Sequence, residues 1–245
     1  MVRLHTTVRR SESGPVSGNA GKFLSAFLGL RAPDAPKIRV LDVFSGTGSV
    51  SKVCKLYPNM IDVTSVDMSD EFSTPTHKCN VLGYDYKKEA GFDIIFASPD
   101  CTHYSRSRTT GGPRDLKSAN RLVLKTQEII LWFLAKNRKL IWFMENPATG
   151  LLVTPFGDYE VPFVVTGLQY IINDYCMFSN FGYKKHTAFF TNLKDRGGAL
   201  CSDCGNKVGS THRKTVEGCP REQKYKIPAF LIHTLLFKAM RQLSG

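Results

Sequence analysis

The chain has 245 residues, with 33 Lys and Arg against 21 Asp and Glu and a formal net charge of +12. That length suffices for one α/β core without disulfide support, and the charge favours a polyanionic partner, the plainer alternative being a basic protein that binds nothing in particular. Seven scattered cysteines argue against a dense disulfide scaffold and for a reducing compartment, while no apolar run approaches the roughly 20 residues of a membrane span, so a soluble intracellular protein is expected.

Residues 1–36 read as a basic, flexible arm carrying Arg3, Arg9, Arg10 and Arg31, with an organellar transit peptide as the alternative, and 37–245 as the main domain. "KIRVLDVFSGTGSV" opens with a β-branched apolar strand at about 38–43, passes a glycine-containing turn and leads into a helix over "SKVCKLY". "IDVTSVD" reads as a second strand ending at Asp67, "FDIIFASP" as a third ending at Pro99, and "KLIWFMENP" as a fourth ending at Glu145. All are short, apolar and uninterrupted, as parallel strands buried on both faces are. Between the last two, Leu116, Ala119, Leu122, Val123, Ile130, Phe133 and Leu134 recur at helical spacing behind Asp115, which marks a crossover helix. Strands alternating with helices imply a doubly wound, mostly parallel α/β sheet, which binds ligands beyond the carboxyl ends of its strands. After Gly150, "YIINDYCMFSNFGYKKHTAFFTN" predicts two extended segments joined by a lysine-rich turn. A small Gly- and Cys-rich insert follows at about 195–224, too small for its own apolar core. The amphipathic helix "IPAFLIHTLLFKAMRQL" closes the chain, with Pro228 in its first turn.

The polar clusters fall at strand ends. In "DVFSGTGS", Gly46 and Gly48 stand where backbone passes close to a ligand; with no third fingerprint glycine and no Walker lysine, the turn fits a nucleoside or amino-acid cofactor better than a phosphate cradle. Asp67, about 20 residues on, is placed to accept both hydroxyls of a ribose. Met68 can cover an adenine face and Asn80 reach an adenine edge, although packing and loop roles are the plainer alternatives. Cys101, exposed by the turn after its strand, and Glu145, at the end of the next strand, would share one rim if those strands are neighbours. A thiol and a carboxyl beside a cofactor pocket on a basic protein suggest thiolate addition to C6 of a pyrimidine while the carboxyl holds N3. C5 then becomes nucleophilic enough to take a methyl group from a sulfonium donor.

"DVFSGTGS", "SVDMSD", "ASPDCTHYS", "FMENPATG" and "YKIPAFL" occur in the order of the motifs of the cytosine-C5 DNA methyltransferases, and over about residues 38–243 the chain resembles the compact phage and viral members. The resemblance implies a Rossmann-like fold and an S-adenosyl-L-methionine-dependent enzyme acting on DNA, RNA being the alternative substrate and a catalytically impaired nucleic-acid-binding protein the other rival. It implies cofactor contacts at Phe44, Gly46, Gly48 and Asp67, with Cys101 as nucleophile and Glu145 as the acid at N3; Ser45, Met68, Asn80 and Pro99 complete the expected cofactor set. A viral member would act in the cytoplasm or nucleus of its host. Three positions depart from the family pattern. Asp100 replaces a proline before the cysteine and should raise the thiol pKa. Lys184 and Lys185 stand where arginines are usual, and lysine lacks the planar guanidinium fork. The Gly-Asn pair common before the last motif is missing.

The insert takes the place of the family's target-recognition region, and Arg213 and Lys214 in it, with Arg106, Arg108, Lys184 and Lys185, are the expected nucleic-acid contacts. The loop "CTHYSRSRTTGGPR" reads as a lid, with Gly111 and Gly112 supplying mobility. Cys201, Cys204, His212 and Cys219 have spacing compatible with structural zinc, and Cys176 is the alternative fourth ligand.

Overall fold

A computed structural model describes residues 35–106, 108, 112–155, 159–163 and 169–245. The basic arm, up to residue 34, and Gly111 of the expected lid lie outside the described residues. Five strands run parallel: β1 (Ile38–Val43), β2 (Ile61–Asp67), β3 (His77–Lys78), β4 (Ile94–Ala97) and β5 (Ile141–Pro147). β6 (Gln169–Asp174) and β7 (His186–Thr191) form an antiparallel hairpin, and β7 pairs antiparallel with β5, giving the order β3-β2-β1-β4-β5-β7-β6. This is a doubly wound, mostly parallel sheet.

The helices are α1 (Ser49–Cys54), α2 (Leu116–Lys136), α3 (Arg221–Tyr225) and α4 (Ala229–Ser244). α2 begins where Asp115 Oδ1 accepts from Ser118 N at 3.0 Å, and it buries Ala119, Val123, Ile130 and Phe133 on one stripe. That stripe packs with Leu41, Val43, Ile95 and Trp142, and each such apolar side chain removed from water contributes about 1.5–3 kcal/mol before entropy is counted. Alternate residues of a strand face opposite ways, so Asp42 points to the other face. There it accepts from Ser51 N and Ser51 Oγ of α1 at 3.2 and 2.8 Å. α1 in turn packs on α4.

Strand ends differ from the sequence expectation where hydrogen bonding decides them. β4 stops at Ala97, since Pro99 has no N–H to donate. β5 runs on to Pro147 because β7 offers Ala188 and Thr187 as partners for Asn146 and Pro147. Pro228 caps α4 at its N-cap position and does not lie in its first turn. Among the described residues no helix is long and apolar enough to cross a membrane.

Gly48 caps α1 with φ at 67°, and a Cβ there would lie 2.9 Å from Ser73 Cβ and Oγ. Gly48→Ala therefore adds a steric clash to a left-handed backbone, and urea unfolding should show a loss on the order of 1–3 kcal/mol. A variant as stable as the parent would mean that the turn relaxes.

Candidate active site

β1 ends in three left-handed residues: Phe44, Gly46 and Gly48 have φ of 59°, 48° and 67°. A bulky residue seldom adopts this conformation. Phe44 is held in it by its side chain, packed against the core, and by Ser45 N donating to Val66 O at 3.1 Å. The turn exposes its backbone to a cavity of about 650 Å³ over the carboxyl ends of β1, β2, β4 and β5, whose wall includes Phe44, Ser45, Gly46, Asp67, Met68 and Pro99. β1 pairs with β2 on one side and β4 on the other, so the cavity lies at the switch point where open α/β sheets bind ligands.

Asp67 accepts from Gly46 N through Oδ2 at 2.8 Å and from Ser69 N through Oδ1 at 2.9 Å, which leaves each oxygen one lone pair for a ribose hydroxyl. Gly48 and Asn80 stand apart from this wall. Gly48 caps α1. Asn80 Oδ1 accepts from Leu82 N at 3.0 Å and starts the short 3₁₀ turn that follows it. Asp42 also lines the cavity. Burial pushes its carboxyl from 3.8 to about 6, against the hydrogen bonds from Ser51 and with a small addition from Asp67. The signal in the sequence was an acid inside the apolar strand "IRVLDV".

Cys101 follows β4 in a tight turn. Asp100 Oδ1 accepts from Thr102 N at 2.9 Å and Thr102 Oγ1 at 2.6 Å, so the carboxylate that replaces a proline closes the turn with its side chain. Asn146 Nδ2 of β5 donates to Pro99 O at 3.3 Å and braces the turn from the neighbouring strand. Because β4 and β5 are adjacent and parallel, Glu145 comes to the same rim as Cys101, and both line the cavity. Tyr175 Oη donates to Glu145 Oε1 at 3.2 Å, and Lys185 Nζ lies 3.4 Å from the same oxygen. Lys185 Nζ also donates to Lys224 O at 3.3 Å and sits 5.0 Å over the Tyr175 ring. Both partners act on Oε1, leaving Oε2 to a ligand.

Burial pushes the Cys101 thiol from 9.0 to about 11; Lys185 opposes this, while Glu145 and Asp100 add to it. Burial likewise raises Tyr175 well above 10.0, keeping its hydroxyl a donor. Tyr175 carried no sequence signal, since it follows β6, two strands away from β5.

A second cavity, of about 880 Å³, opens on the other side of Cys101 and is walled by Arg108, Lys184, His186, Lys214 and Lys224. The two cavities share Cys101, Thr102, Lys185 and Tyr225. Several expected nucleic-acid contacts are engaged within the protein. Arg106 Nη2 donates to Thr154 O at 3.2 Å. Arg108 donates to His103 Nδ1 at 2.8 Å and Gly112 O at 2.9 Å, and Arg114 holds the carbonyls of His103 and Ser105. These arginines brace the loop after Cys101. Lys184 pairs with the buried Asp174 at 3.3 Å. Lys185 turns to Glu145, and Arg213 is exposed but off the cavity wall.

The ligand atoms of Cys176, Cys201, Cys204 and His212 lie within 4.8 Å of one another. Cys219, expected as the fourth ligand, is elsewhere: its Sγ donates to Thr215 O at 3.3 Å. The alternative, Cys176, takes its place because the turn after β6 carries it beneath the Cys201 and Cys204 knuckle.

No protein-family model matches the chain. It is 30% identical over 232 residues to the "Probable DNA (cytosine-5)-methyltransferase" of Frog virus 3 (isolate Goorha), covering 81% of this chain and 99% of that protein. The chain belongs to the cytosine-C5 methyltransferase family. Similar solved structures include the Dnmt2 methyltransferase of S. pombe (16% identity, TM-score 0.40, 66% of this chain and 52% of that one). The methyltransferase EhMeth of Entamoeba histolytica is another (15% identity, TM-score 0.37, 66% and 55%). The chain thus spans about half the length of these structures.

Membership in the C5 methyltransferase family implies S-adenosylmethionine as methyl donor, and the first cavity suits it. Asp42, Asp67 and Glu71 offer carboxylates to a ligand with a sulfonium, an ammonium and ribose hydroxyls. Ser45 Oγ, buried on the same wall, has no hydrogen-bond partner among the described residues and can donate to a ligand carboxylate.

Alkylation of Cys101, followed by peptide mass spectrometry, should accelerate with pH towards a midpoint near 11, well above the ordinary 9.0. Lys185 favours the thiolate, so Lys185→Gln should slow alkylation at any fixed pH below that midpoint, whereas Lys185→Arg should not. A midpoint near 9.0 would mean that the sulfur is not desolvated.

Proposed function

We propose that this methyltransferase acts on C5 of cytosine in DNA, taking the base out of the duplex and forming a covalent adduct with it through Cys101. The observation that carries the reading is the meeting of the two cavities at Cys101 and Lys185: an acidic one sized for a nucleoside cofactor and a basic one open to a polyanion. The name of the Frog virus 3 relative supports DNA as the substrate.

When bound, S-adenosylmethionine supplies an electrophilic methyl group. In this mechanism Phe44, Gly46, Asp67 and Met68 hold it, and Pro99 positions the turn. The Cys101 sulfur bonds to C6 of the base while Glu145 holds N3, so the electron pair displaced from the C5–C6 bond gathers on a ring whose N3 is stabilised. C5 would take the methyl as the donor's carbon–sulfur bond breaks and its electron pair stays on that sulfur, leaving a neutral thioether; the C5 proton would then leave to solvent or a base, and the C6–sulfur bond would break to free the Cys101 thiolate. Because burial keeps the resting sulfur a thiol, its proton passes to solvent as the base binds, with the Lys185 ammonium supplying the charge that favours the thiolate. Tyr175 and Lys185 together keep Glu145 oriented, the part that arginines play in the family pattern. Lys184 and Lys214, on the wall of the basic cavity, and Arg213 beside it serve the phosphate backbone.

Duplex DNA carrying 5-fluorocytosine should trap a stable adduct with the wild type plus cofactor, and Cys101→Ser should form none, since a hydroxyl is a far poorer nucleophile. Equal trapping by the serine variant would remove Cys101 from its role, and trapping on RNA but not DNA would reassign the substrate. Glu145→Gln should keep cofactor and DNA binding while lowering turnover by about two to four orders of magnitude. Unchanged turnover in labelled-methyl transfer would exclude Glu145 as the group at N3.

A further inference from the structure

The segment between β7 and α3 is poor in regular structure. It contains a two-stranded ribbon, β8 (Lys207–Val208) and β9 (Thr211–His212), and leaves Leu200 and Val208 58% and 71% exposed. An apolar core does not hold such a segment in place. We propose that Cys176, Cys201, Cys204 and His212 form a structural zinc site that clamps this segment to the end of β6 and thereby fixes one wall of the basic cavity.

The four ligands come from three places: Cys176 from the 3₁₀ turn Tyr175–Met177, Cys201 and Cys204 from a C-x-x-C knuckle, and His212 from β9. Their ligand atoms lie within 4.8 Å of one another, and His212 Nε2 is 3.6 Å from Cys201 Sγ and 3.4 Å from Cys204 Sγ. With Zn–S of about 2.3 Å and Zn–N of about 2.0–2.1 Å, tetrahedral coordination sets sulfur and nitrogen about 3.5 Å apart. The two nitrogen–sulfur separations, 3.6 and 3.4 Å, match the edges of such a tetrahedron, and the remaining pairs lie within 4.8 Å. Three thiolates and an imidazole suit zinc and leave no open position, which makes the site structural. A disulfide between two of the cysteines would account for neither the third thiol nor the histidine.

The backbone around the cluster is built to hold it. Cys201 N donates to the buried Asp174 Oδ2 at 2.7 Å. The buried Asn206 side chain donates to Cys176 O at 2.9 Å and Ser179 O at 2.7 Å and accepts from Gly182 N at 3.2 Å. Hydrogen bonds behind the ligands orient them and sharpen metal affinity. Two ligands also touch the catalytic region: His212 lies on the wall of the basic cavity, and Cys176 directly follows Tyr175, which donates to Glu145.

The metal site stands independently of the reaction, whereas its effect on DNA rests on the proposed function. Full-length protein purified without chelator should carry about one zinc ion per chain by mass spectrometry, and cobalt in its place should give the visible absorption of tetrahedral, thiolate-rich coordination. Cys219→Ser should keep the metal. Cys204→Ser and His212→Ala should weaken zinc binding by more than about 100-fold; His212 is only partly buried, so its variant tests the site without emptying a core position. Zinc-free protein after reconstitution, or zinc retained by His212→Ala and lost by Cys219→Ser, would overturn the site. Stripping the zinc should lower DNA affinity at least about ten-fold while leaving S-adenosylmethionine binding unchanged. Unaltered DNA affinity would overturn the clamp, and zinc content is read without substrate, so an enzyme that proves to act on RNA leaves the metal result intact.

Discussion

The buried carboxylate of Asp174 organises the half of the molecule in which the two cavities meet. A desolvated charge must be given donors, and Asp174, the last residue of β6 and fully buried, receives three. His186 Nδ1 lies 2.6 Å from its Oδ1, Lys184 Nζ lies 3.3 Å from its Oδ2, and Cys201 N donates to the same Oδ2 at 2.7 Å. Extended chain alternates the direction of its side chains, so drawing Lys184 and His186 to Asp174 sends Lys185 the other way, to Glu145. The same carboxylate anchors the start of the cysteine knuckle. One buried acid thus sets the position of the lysine beside Glu145 and of the segment that walls the basic cavity.

The electrostatics of the catalytic rim are those of a site at rest. Burial holds Cys101 as a thiol near 11, and the two neighbouring acids reinforce that. Lys185, with 15% of its side chain exposed, is the group that pulls the other way. It holds Glu145 by charge, without the planar fork of a guanidinium, and Tyr175 adds the directional hydrogen bond that a second arm of an arginine could have made. A lysine and a tyrosine from different elements together do the work of one planar donor.

The cofactor side rests on strain and burial. Three left-handed residues in the five from Phe44 to Gly48 bend the chain so that backbone faces the cavity, and Asp67 accepts from Gly46 N in the middle of that bend. Asp42, raised to about 6 by burial, adds a carboxylate whose charged form a bound sulfonium or ammonium would favour. The turn, Asp67 and the buried Asp42 therefore belong to one pocket although they come from two strands.

Local pattern in the sequence determined the parallel core. Short uninterrupted apolar runs mark buried strands, the stripe from Leu116 to Leu134 marks the crossover helix, and the glycines after Val43 mark the turn. That Cys101 and Glu145 share one rim was legible because both sit at the ends of such runs, where an α/β sheet places its ligands. Local pattern does not encode which elements become neighbours across the sheet. The order β5-β7-β6 brings Tyr175 and Lys185 to Glu145, and no periodicity within "YIINDYCMFSNFGYKKH" distinguishes Lys185 from Lys184. The same hairpin delivers Cys176 to the cysteine cluster and leaves Cys219 apart, a choice between two thiols far from each other along the chain. Asn80 and the loop arginines had residue types suited to binding, but their hydrogen bonds go to nearby backbone and side-chain groups. Residue type and spacing follow from local steric and hydrophobic rules, whereas partners are decided by long-range packing, which only the folded chain contains.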